Sequence, residues 1–186
     1  MAFSIDQFKS ALALGGARPS LFQVQITFNS GNGDITNGLL KAPFMIKAAT
    51  LPAETTGSFP VPYFGRQIKF AGDRTFEDWQ VTVFNDEDFA VRSAFEQWSQ
   101  LINSHEPNLA TLRPGMGTTG SSTGYKANAV VKQYSKMGGN PIAAYQFIGL
   151  FPTVITDIQL DWGATDQLEE FGVVFSYDYW ERVSTS

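Results

Sequence analysis

Residues 115–120 (GMGTTG) have the G-x-G-x-x-G spacing of a dinucleotide-binding turn, in which backbone amides and a helix N-terminus hold a pyrophosphate. That chemistry requires a strand directly before the glycines and a helix directly after them. Here Pro114 precedes the motif, more Gly, Ser and Thr follow it, and Asn140 stands about where the ribose-binding acid would be. The segment 114–124 is therefore predicted to be a flexible loop without a nucleotide site.

A second match, GSSTG at residues 120–124, has the G-x-S-x-G spacing of a nucleophile elbow with Ser122 as the nucleophile. The elbow requires a strained strand-to-helix turn and a histidine later in the chain that acts as the base. The single histidine, His105, comes earlier in the chain. We therefore expect His105 to end a helix, where positive charge is favourable, and we expect no serine hydrolase site.

Carboxylates are grouped in residues 157–170, where paired acids could act in acid–base catalysis or hold a hard cation. Glu169 and Glu170 are adjacent and would point to opposite faces of a strand, and Asp161 and Asp166 flank Gly163, which indicates a solvated turn. Zero Cys and one His exclude thiolate zinc sites, iron–sulfur clusters and multi-histidine metal sites. The sequence predicts no catalytic residue, no metal and no cofactor, and hence no enzyme.

Length and composition exclude further classes of protein function. The 186 residues predict one domain, and the net charge of −5 argues against an electrostatic nucleic-acid binder, which needs clustered cations. No apolar run approaches the length of a membrane span, so we expect no membrane insertion. Charged residues form 17% of the chain, against about 25% in a typical protein, and aromatic residues reach 14%. This balance indicates additional buried surface, either at subunit interfaces or in an aromatic-rich core.

Hydrophobic periodicity predicts a mainly β chain, a β-sandwich or barrel with one flanking helix and long loops. Residues 86–102 carry an apolar stripe at helical spacing, with Asn85 as the expected N-cap and three acids in the first turn. Two Asn-Gly pairs predict a hairpin-like excursion or flexible loop at 29–43, and three prolines predict an extended loop or sheet edge at 50–64. Strands are predicted at residues 21–28, 44–49, 66–71, 77–84, 125–135, 143–151, 154–162 and 168–180.

Few charges, many aromatic side chains and several long strands favour a structural or assembly protein, because exposed strand edges allow identical subunits to join their sheets. Residues 72–75 (GDRT) predict a turn between two strands. Four charged residues in or near this turn have no evident local partner on a helix, and we interpret them as candidate ion pairs at a subunit interface, with a solvated hairpin as the alternative. These residues are Arg66, Asp73, Arg74 and Asp78.

Segments throughout the chain are similar to those of one known family. Residues 17–24 (ARPSLFQV) are similar to the entry into its first strand, and 47–53 (KAATLPA) to the strand before its long loop. The longest match is 64–79 (FGRQIKFAGDRTFEDW). Shorter matches follow in the family's order: VKQY at 131–134, GLFP at 149–152, LDW at 160–162 and YDYWE at 177–181. The chain thus resembles the tail tube proteins of contractile-tailed bacteriophages, which are related to secretion-system tube proteins.

The resemblance implies one tail-tube domain over 1–186, with an N-terminal arm at about 1–18 and an assembly loop at about 50–64. It implies a structural virion protein that forms hexameric rings, which stack as the inner tube of a contractile tail and form the conduit for DNA delivery into the host. The implied partners are further copies of the chain, the sheath, the baseplate, the tail terminator, the tape-measure protein, and then double-stranded DNA in the lumen without sequence-specific binding.

The implied location is the virion tail, after synthesis and assembly in the host cytoplasm. The alternative is the tube protein of a phage-tail-like injection or secretion system that delivers proteins. Segments 29–40 and 115–124 look longer than in the well-known members, so no family role carries over to them. The net charge of −5 suggests a lumen with negative potential, which would repel phosphates and let DNA slide.

Overall fold

The computed structural model describes residues 4–12, 15–28, 33–106, 108–110 and 124–184. These residues form nine strands and three helices, so the prediction of a mainly β chain is confirmed. Apart from Gly124, the predicted loop 114–124 and its two motifs lie outside the described residues. The elements in chain order are α1 (Ile5–Ala11), β1 (Phe22–Thr27), α2 (Gly33–Met45), β2 (Ile46–Ala49), β3 (Glu54–Tyr63), β4 (Arg66–Phe76), β5 (Trp79–Phe84), α3 (Ala90–Ile102), β6 (Ala127–Gln133), β7 (Ala143–Ile155), β8 (Glu170–Ser176) and β9 (Tyr179–Val183).

Strand β7 belongs to two sheets and joins them into a sandwich. One edge of β7 pairs with β6, and the other edge pairs first with β9 over residues 144–148 and then with β8 over residues 151–155. Sheet I therefore has the order β1-β6-β7-β9, and sheet II has the order β7-β8-β5-β2. Every pairing in both sheets is antiparallel.

Gly149 lies where β7 changes partners. Its φ is +73°, and a Cβ at this position would lie 2.1 Å from Asp178 Oδ2. The Asp178 N–H donates to the Ile148 carbonyl oxygen at 2.9 Å, and its carboxylate accepts from Lys126 Nζ at 2.7 Å. The chain between β8 and β9 thus bends directly over the glycine. The predicted single strand 168–180 is wrong because this bend divides it into β8 and β9, which continue in line along the same edge of β7.

The facing sides of the two sheets are filled with aromatic rings. Trp79 of β5 stacks on Phe147 of β7 with 4.5 Å between ring centroids, which joins the sheets through the core. Helix α3 contributes the fully buried Phe95 and Trp98, and Trp98 Nε1 donates to the Tyr125 carbonyl oxygen at 2.7 Å. Burying one such ring stabilises the fold by about 2 kcal/mol. Part of the high aromatic content of the chain is therefore explained by this core.

Helix α3 begins at Ala90 rather than at residue 86, and Asn85 is not its N-cap. Asn85 instead extends the β5–β8 pairing, since its N–H donates to the Glu169 carbonyl oxygen at 2.8 Å. Asp88 Oδ1 accepts from the Ala90 N–H at 3.0 Å and so assists the start of the helix. A hydrogen bond from Lys41 of α2 to the same carboxylate lowers the pKa of Asp88 and ties the two helices together.

Helix α2 occupies most of the segment 29–43, where the sequence predicted a hairpin-like excursion or loop, and that prediction is wrong. Its buried residues Ile35, Gly38, Leu39 and Ala42 recur at helical spacing. At Gly38, a Cβ would lie 2.6 Å from the Ala90 carbonyl oxygen of α3. The glycine that suggested a turn therefore permits close packing of α2 on α3. These tertiary contacts favour the helix over the turn that the local sequence predicts.

Three smaller expectations also differ from the structure. The predicted turn 72–75 lies inside β4, which pairs with β3 as one long hairpin. Most of the segment 50–64 is strand β3 at the edge of that two-stranded sheet, which is one of the two predicted alternatives. The predicted strand 154–162 contributes only its first two residues, as the end of β7. His105, expected to end a helix, lies in a turn beyond the last residue of α3, Ile102.

Candidate assembly surface

The β3–β4 hairpin extends away from the sandwich as a continuation of the β2–β5 pair. The Thr50 N–H donates to the Gln80 carbonyl oxygen at 3.2 Å, and the Glu77 N–H donates to the Ala53 carbonyl oxygen at 3.4 Å, so the two pairs form one ribbon. All ten residues of β3 are exposed. A two-stranded ribbon with no covering layer is marginally stable in water, so this hairpin has the properties of a segment that another surface covers.

One face of the hairpin is apolar. Phe59 lies opposite Phe70, and Val61 lies opposite Ile68, so these four side chains share a face. Their exposed fractions are 52, 49, 41 and 46%, and Phe59 stacks on Phe70 with 5.8 Å between ring centroids. The alternation at 59–63 is present in the sequence, but the prolines led to the prediction of an extended loop or a sheet edge, with no apolar face assigned to it. A contiguous exposed apolar face of this kind marks an interaction surface.

A bulge bends the hairpin between its tip and its base. The register shifts between Thr56 and Ser58, and a Cβ at Gly72 would lie 3.3 Å from the Gly57 carbonyl group across the ribbon. Two glycines therefore allow the close approach of the strands at this point. On β4 the bulge consists of Gly72 and Asp73, the first two of the residues 72–75 that predicted a turn, whereas Arg74 and Thr75 pair in register with Thr56 and Thr55.

The four candidate interface residues are distributed along this ribbon and are not brought together. Arg66 begins β4 beside the hairpin tip, Asp73 follows Gly72 at the bulge, and Asp78 lies between β4 and β5. Arg74 has a cross-strand partner within the ribbon, since its Nη1 lies 3.5 Å from Glu54 Oε2 of β3. Within the described ranges, no ion pair joins Arg66, Asp73 or Asp78 to another residue.

Tyr177 holds the base of the ribbon. Its hydroxyl donates to the Glu77 carbonyl oxygen at 2.7 Å, and its ring packs on Phe76 at 6.1 Å. Burial, with the nearby carboxylates of Asp78 and Glu77, raises the pKa of Tyr177 to about 12. The phenol therefore stays protonated at neutral pH and remains a hydrogen-bond donor. This contact fixes the ribbon to the segment between β8 and β9. In the sequence, Tyr177 appeared only as part of the YDYWE match at 177–181, and no contact was predicted for it.

Apolar cavities lie beside the base of the ribbon. Leu51, Pro52 and Trp180 line a cavity of about 150 Å³, and the indole Nε1 of Trp180 has no hydrogen-bond partner among the described residues. A neighbouring cavity of about 250 Å³ is lined by Phe22 and Val131. Tyr145 borders both. These cavities provide a second apolar surface close to the hairpin.

The carboxylate-rich segment 157–170 does not form a metal centre. Asp161 Oδ1 accepts from the Gly163 N–H at 2.9 Å, and Glu170 pairs with Lys47 at 2.5 Å, so these acids support a turn and a surface ion pair. Across the part of the chain that the structure describes, no three His, Cys, Asp or Glu residues are grouped to hold a metal ion. In the same part, no helix has the length and apolar character to span a membrane.

The chain is similar to tail proteins of known phages. The family model described as "Phage tail tube protein" matches residues 17–183. The tail tube protein gp19 of Enterobacteria phage T4 is 35% identical over 178 residues, covering 95% of this chain and 99% of the relative. The tail tube protein of Serratia phage KSP90 is 26% identical over 172 residues, covering 90% of each chain.

Solved structures share the fold at low sequence identity. A chain from the sheath/tube terminator of an extracellular contractile injection system has a TM-score of 0.63 at 10% identity, covering 91% of this chain and 97% of that one. A chain from the baseplate of the anti-feeding prophage has a TM-score of 0.60 at 14% identity, covering 90% and 95%. The family match and the T4 relative both extend over nearly the whole sequence, including the ribbon and both sheets. The chain therefore belongs to the phage tail tube protein family.

Proposed function

We propose that the protein forms hexameric rings that stack into the inner tube of a contractile phage tail and serve as the conduit for DNA. The observation that carries this proposal is the exposed apolar face of the β3–β4 hairpin, because an isolated subunit gains nothing from a two-stranded apolar ribbon in water. In a ring or stack, that face is covered by another copy. Its burial would then stabilise assembly by about 25 cal/mol per Å² of apolar surface.

The dimensions of such a ring suit its cargo. If each copy contributes four strands, about 24 strands spaced about 4.8 Å apart and tilted by about 40° close into a barrel with a backbone diameter of about 48 Å. The side chains would leave a lumen wide enough for duplex DNA. In this position the protein would act as a structural wall and not as an enzyme.

The remaining partners follow from this position in the tail. The sheath surrounds the tube, the baseplate and terminator contact its ends, and the tape-measure protein precedes DNA in the lumen, where no sequence-specific binding occurs. The subunit is made in the host cytoplasm and resides in the virion tail. The chain is 35% identical to the T4 tail tube protein but 10% identical to the chain from the injection-system terminator, and this difference favours DNA as the cargo over the proteins of an injection system.

The residues 50–78 are proposed to contact neighbouring copies. Arg66, Asp73 and Asp78 would find ionic partners there, and Arg74 would keep or exchange its Glu54 partner. The apolar hairpin face and these charges lie on one projecting element, so one neighbour could engage both.

Negative-stain electron microscopy of the concentrated protein, alone and seeded with baseplates or pre-formed tube ends, tests the proposal. We expect stacked rings of uniform width with a stain-filled centre. Ile68→Asp should abolish them, because it places a charge on the apolar face, whereas Gln67→Asp adds the same charge to the opposite face and should allow assembly. Wild-type protein that stays monomeric in both samples would refute the proposed function.

A further inference from the structure

The loop between β7 and β8, residues 156–169, exposes large apolar side chains. Trp162 is fully exposed, and Leu160 and Leu168 are largely exposed. All three border one concave surface of this loop, the Trp162 loop. A turn presents the indole, since the Gly163 N–H beside it donates to the Asp161 side chain at 2.9 Å. Large apolar side chains grouped in this way mark an interaction surface.

The Trp162 loop is also acidic. It contains four carboxylates and no basic residue; the four are Asp157, Asp161, Asp166 and Glu169. Among the residues that the structure describes, none of the four forms an ion pair. A surface that complements this loop is therefore both apolar and basic.

A pocket with this character lies at the other end of β7. This basic pocket has a volume of about 640 Å³ and is lined by residues 15–18, residues 134–137 and Ile142. Its charged residues are Arg18 and Lys136, and no acid lines it. Within the described ranges, neither cation has an ion-pair partner. The pocket volume lies within the range of about 300–1,000 Å³ that accommodates small molecules, so it has room for an indole.

The Trp162 loop and the basic pocket cannot meet within one copy. Ile142 directly precedes β7 and the Trp162 loop directly follows it, so the 13 residues of β7, about 40 Å, separate them. Because the loop is anchored to a strand at each end, half of it extends at most about 25 Å. A loop that fills this pocket therefore fills the pocket of a second copy.

Stacked rings bring these two surfaces of different copies together. Rings that stack with the same polarity turn one end of every copy towards the opposite end of a copy in the next ring. With strands tilted by about 40° from the tube axis, the two ends of β7 remain about 30 Å apart along that axis. Such a head-to-tail contact does not close on itself, so it can repeat along a filament.

We propose that the Trp162 loop of each copy docks in the basic pocket of a copy in the next ring, and that this contact stacks the rings. The inference rests on the proposed function, which supplies the rings, and it names the contact between them. Trp162 covers Ile142 and Met137, which is 90% exposed in the free subunit. The carboxylates of the loop lie against Arg18 and Lys136, and the opposite charges also guide the two ends together.

Cross-linking tests the contact, because the chain has no cysteine of its own. Ala164→Cys and Ser135→Cys place thiols beside the two surfaces and leave Trp162 intact. The control combines Ala164→Cys with Gln100→Cys, because Gln100 is exposed on α3 and does not line the pocket. Each protein, with each single-cysteine protein beside it, is assembled, treated with a short bis-maleimide and resolved by denaturing electrophoresis.

We expect the first pair to give a ladder that continues beyond six chains, because the contact runs from ring to ring. The control pair should give no more than the single-cysteine background. A ladder that ends at six chains would place the contact within one ring and overturn the inference, and so would the absence of a ladder from assembled tubes.

Replacing the indole provides a second test, by negative-stain electron microscopy. Trp162→Ala should still form rings but should raise the protein concentration at which they stack by at least about tenfold, as removal of a central aromatic anchor does. Leu109→Ala is the control, because Leu109 is also largely exposed and lines neither surface. Stacking of Trp162→Ala at the wild-type concentration would overturn the inference and leave the proposed function intact. A wild type that forms no rings would refute both.

Acrylamide quenching of tryptophan fluorescence follows the same contact in the unmodified protein. Trp79 and Trp98 are fully buried, whereas Trp162 is fully exposed in the free subunit. Stacking should therefore reduce the quenching, and Trp162→Phe should lack this reduction. Quenching that is equal in free subunits and in tubes would contradict the inference.

Discussion

Replacing Gly149 by alanine tests whether the branching of β7 depends on the missing side chain. A non-glycine residue at φ +73° costs about 1–2 kcal/mol. The added Cβ would also lie 2.1 Å from Asp178 Oδ2, so the carboxylate must move away from Lys126. Losing that partly buried ion pair costs about 1 kcal/mol. We expect a total destabilisation of about 2–3 kcal/mol, and for a domain of this size a Tm lower by about 5–10 °C.

Gly138→Ala is the matched control, because Gly138 has φ +76° but nothing lies within 4 Å of the position that its Cβ would take. It carries the backbone cost alone. Urea unfolding should show Gly149→Ala to be less stable than Gly138→Ala by about 1 kcal/mol, the contribution of the crowded carboxylate. In the Asp178→Ala background this extra cost should largely disappear, as a double-mutant cycle would measure. Equal destabilisation at the two glycines would refute the argument from crowding.

Three further predictions concern the ribbon and the helices. Arg74→Ala should reduce tube yield while changing the Tm by less than about 2 °C, because the exposed ion pair with Glu54 contributes little to the free energy of unfolding. Unchanged yield together with an unchanged Tm would remove Arg74 from the interface. Gly38→Ala should lower the free energy of unfolding in urea by about 1–3 kcal/mol, because its Cβ would clash with the backbone of α3. Gly33→Ala is the control: its Cβ would have nothing within 4 Å, so the free energy of unfolding should be unchanged or higher. Phenolate absorbance should show Tyr177 ionising near pH 12. Because its pKa is higher in the folded than in the unfolded state, its contribution to stability is complete below about pH 10 and is lost as the pH rises towards 12. Tyr177→Phe should remove this loss of stability between about pH 10 and 12.

Periodicity predicted the elements whose burial alternates regularly. Strands β1, β5, β6 and β8 lie within the predicted ranges, since each packs one face on a single core. The apolar stripe of α3 was likewise predicted, and Val91, Ala94, Phe95 and Trp98 are its buried residues. These patterns are local, so sequence alone carries them.

The errors arose where distant contacts decide the local structure. The close approach of α3 at Gly38, and the crossing of Asp178 over Gly149, are tertiary events that a single sequence does not display. The candidate interface at 50–78 was argued from only part of what the hairpin displays. Charges at a supposed turn suggested it, whereas the apolar face built from Phe59 and Ile68 is the larger feature, and it becomes visible only once the register of the hairpin is known.

The exposed hairpin makes the free subunit vulnerable in a way that the assembled protein would not be. A ribbon without a covering layer opens locally at little free-energy cost, and an opened strand fits a protease active site. Arg66, Lys69 and Arg74 are trypsin cleavage positions, and all three lie on β4. Subunits left outside a tail would be cut there first, so digestion of β4 would report the pool of unassembled chains, and in the cell the same susceptibility would clear surplus subunits before their open edges could aggregate.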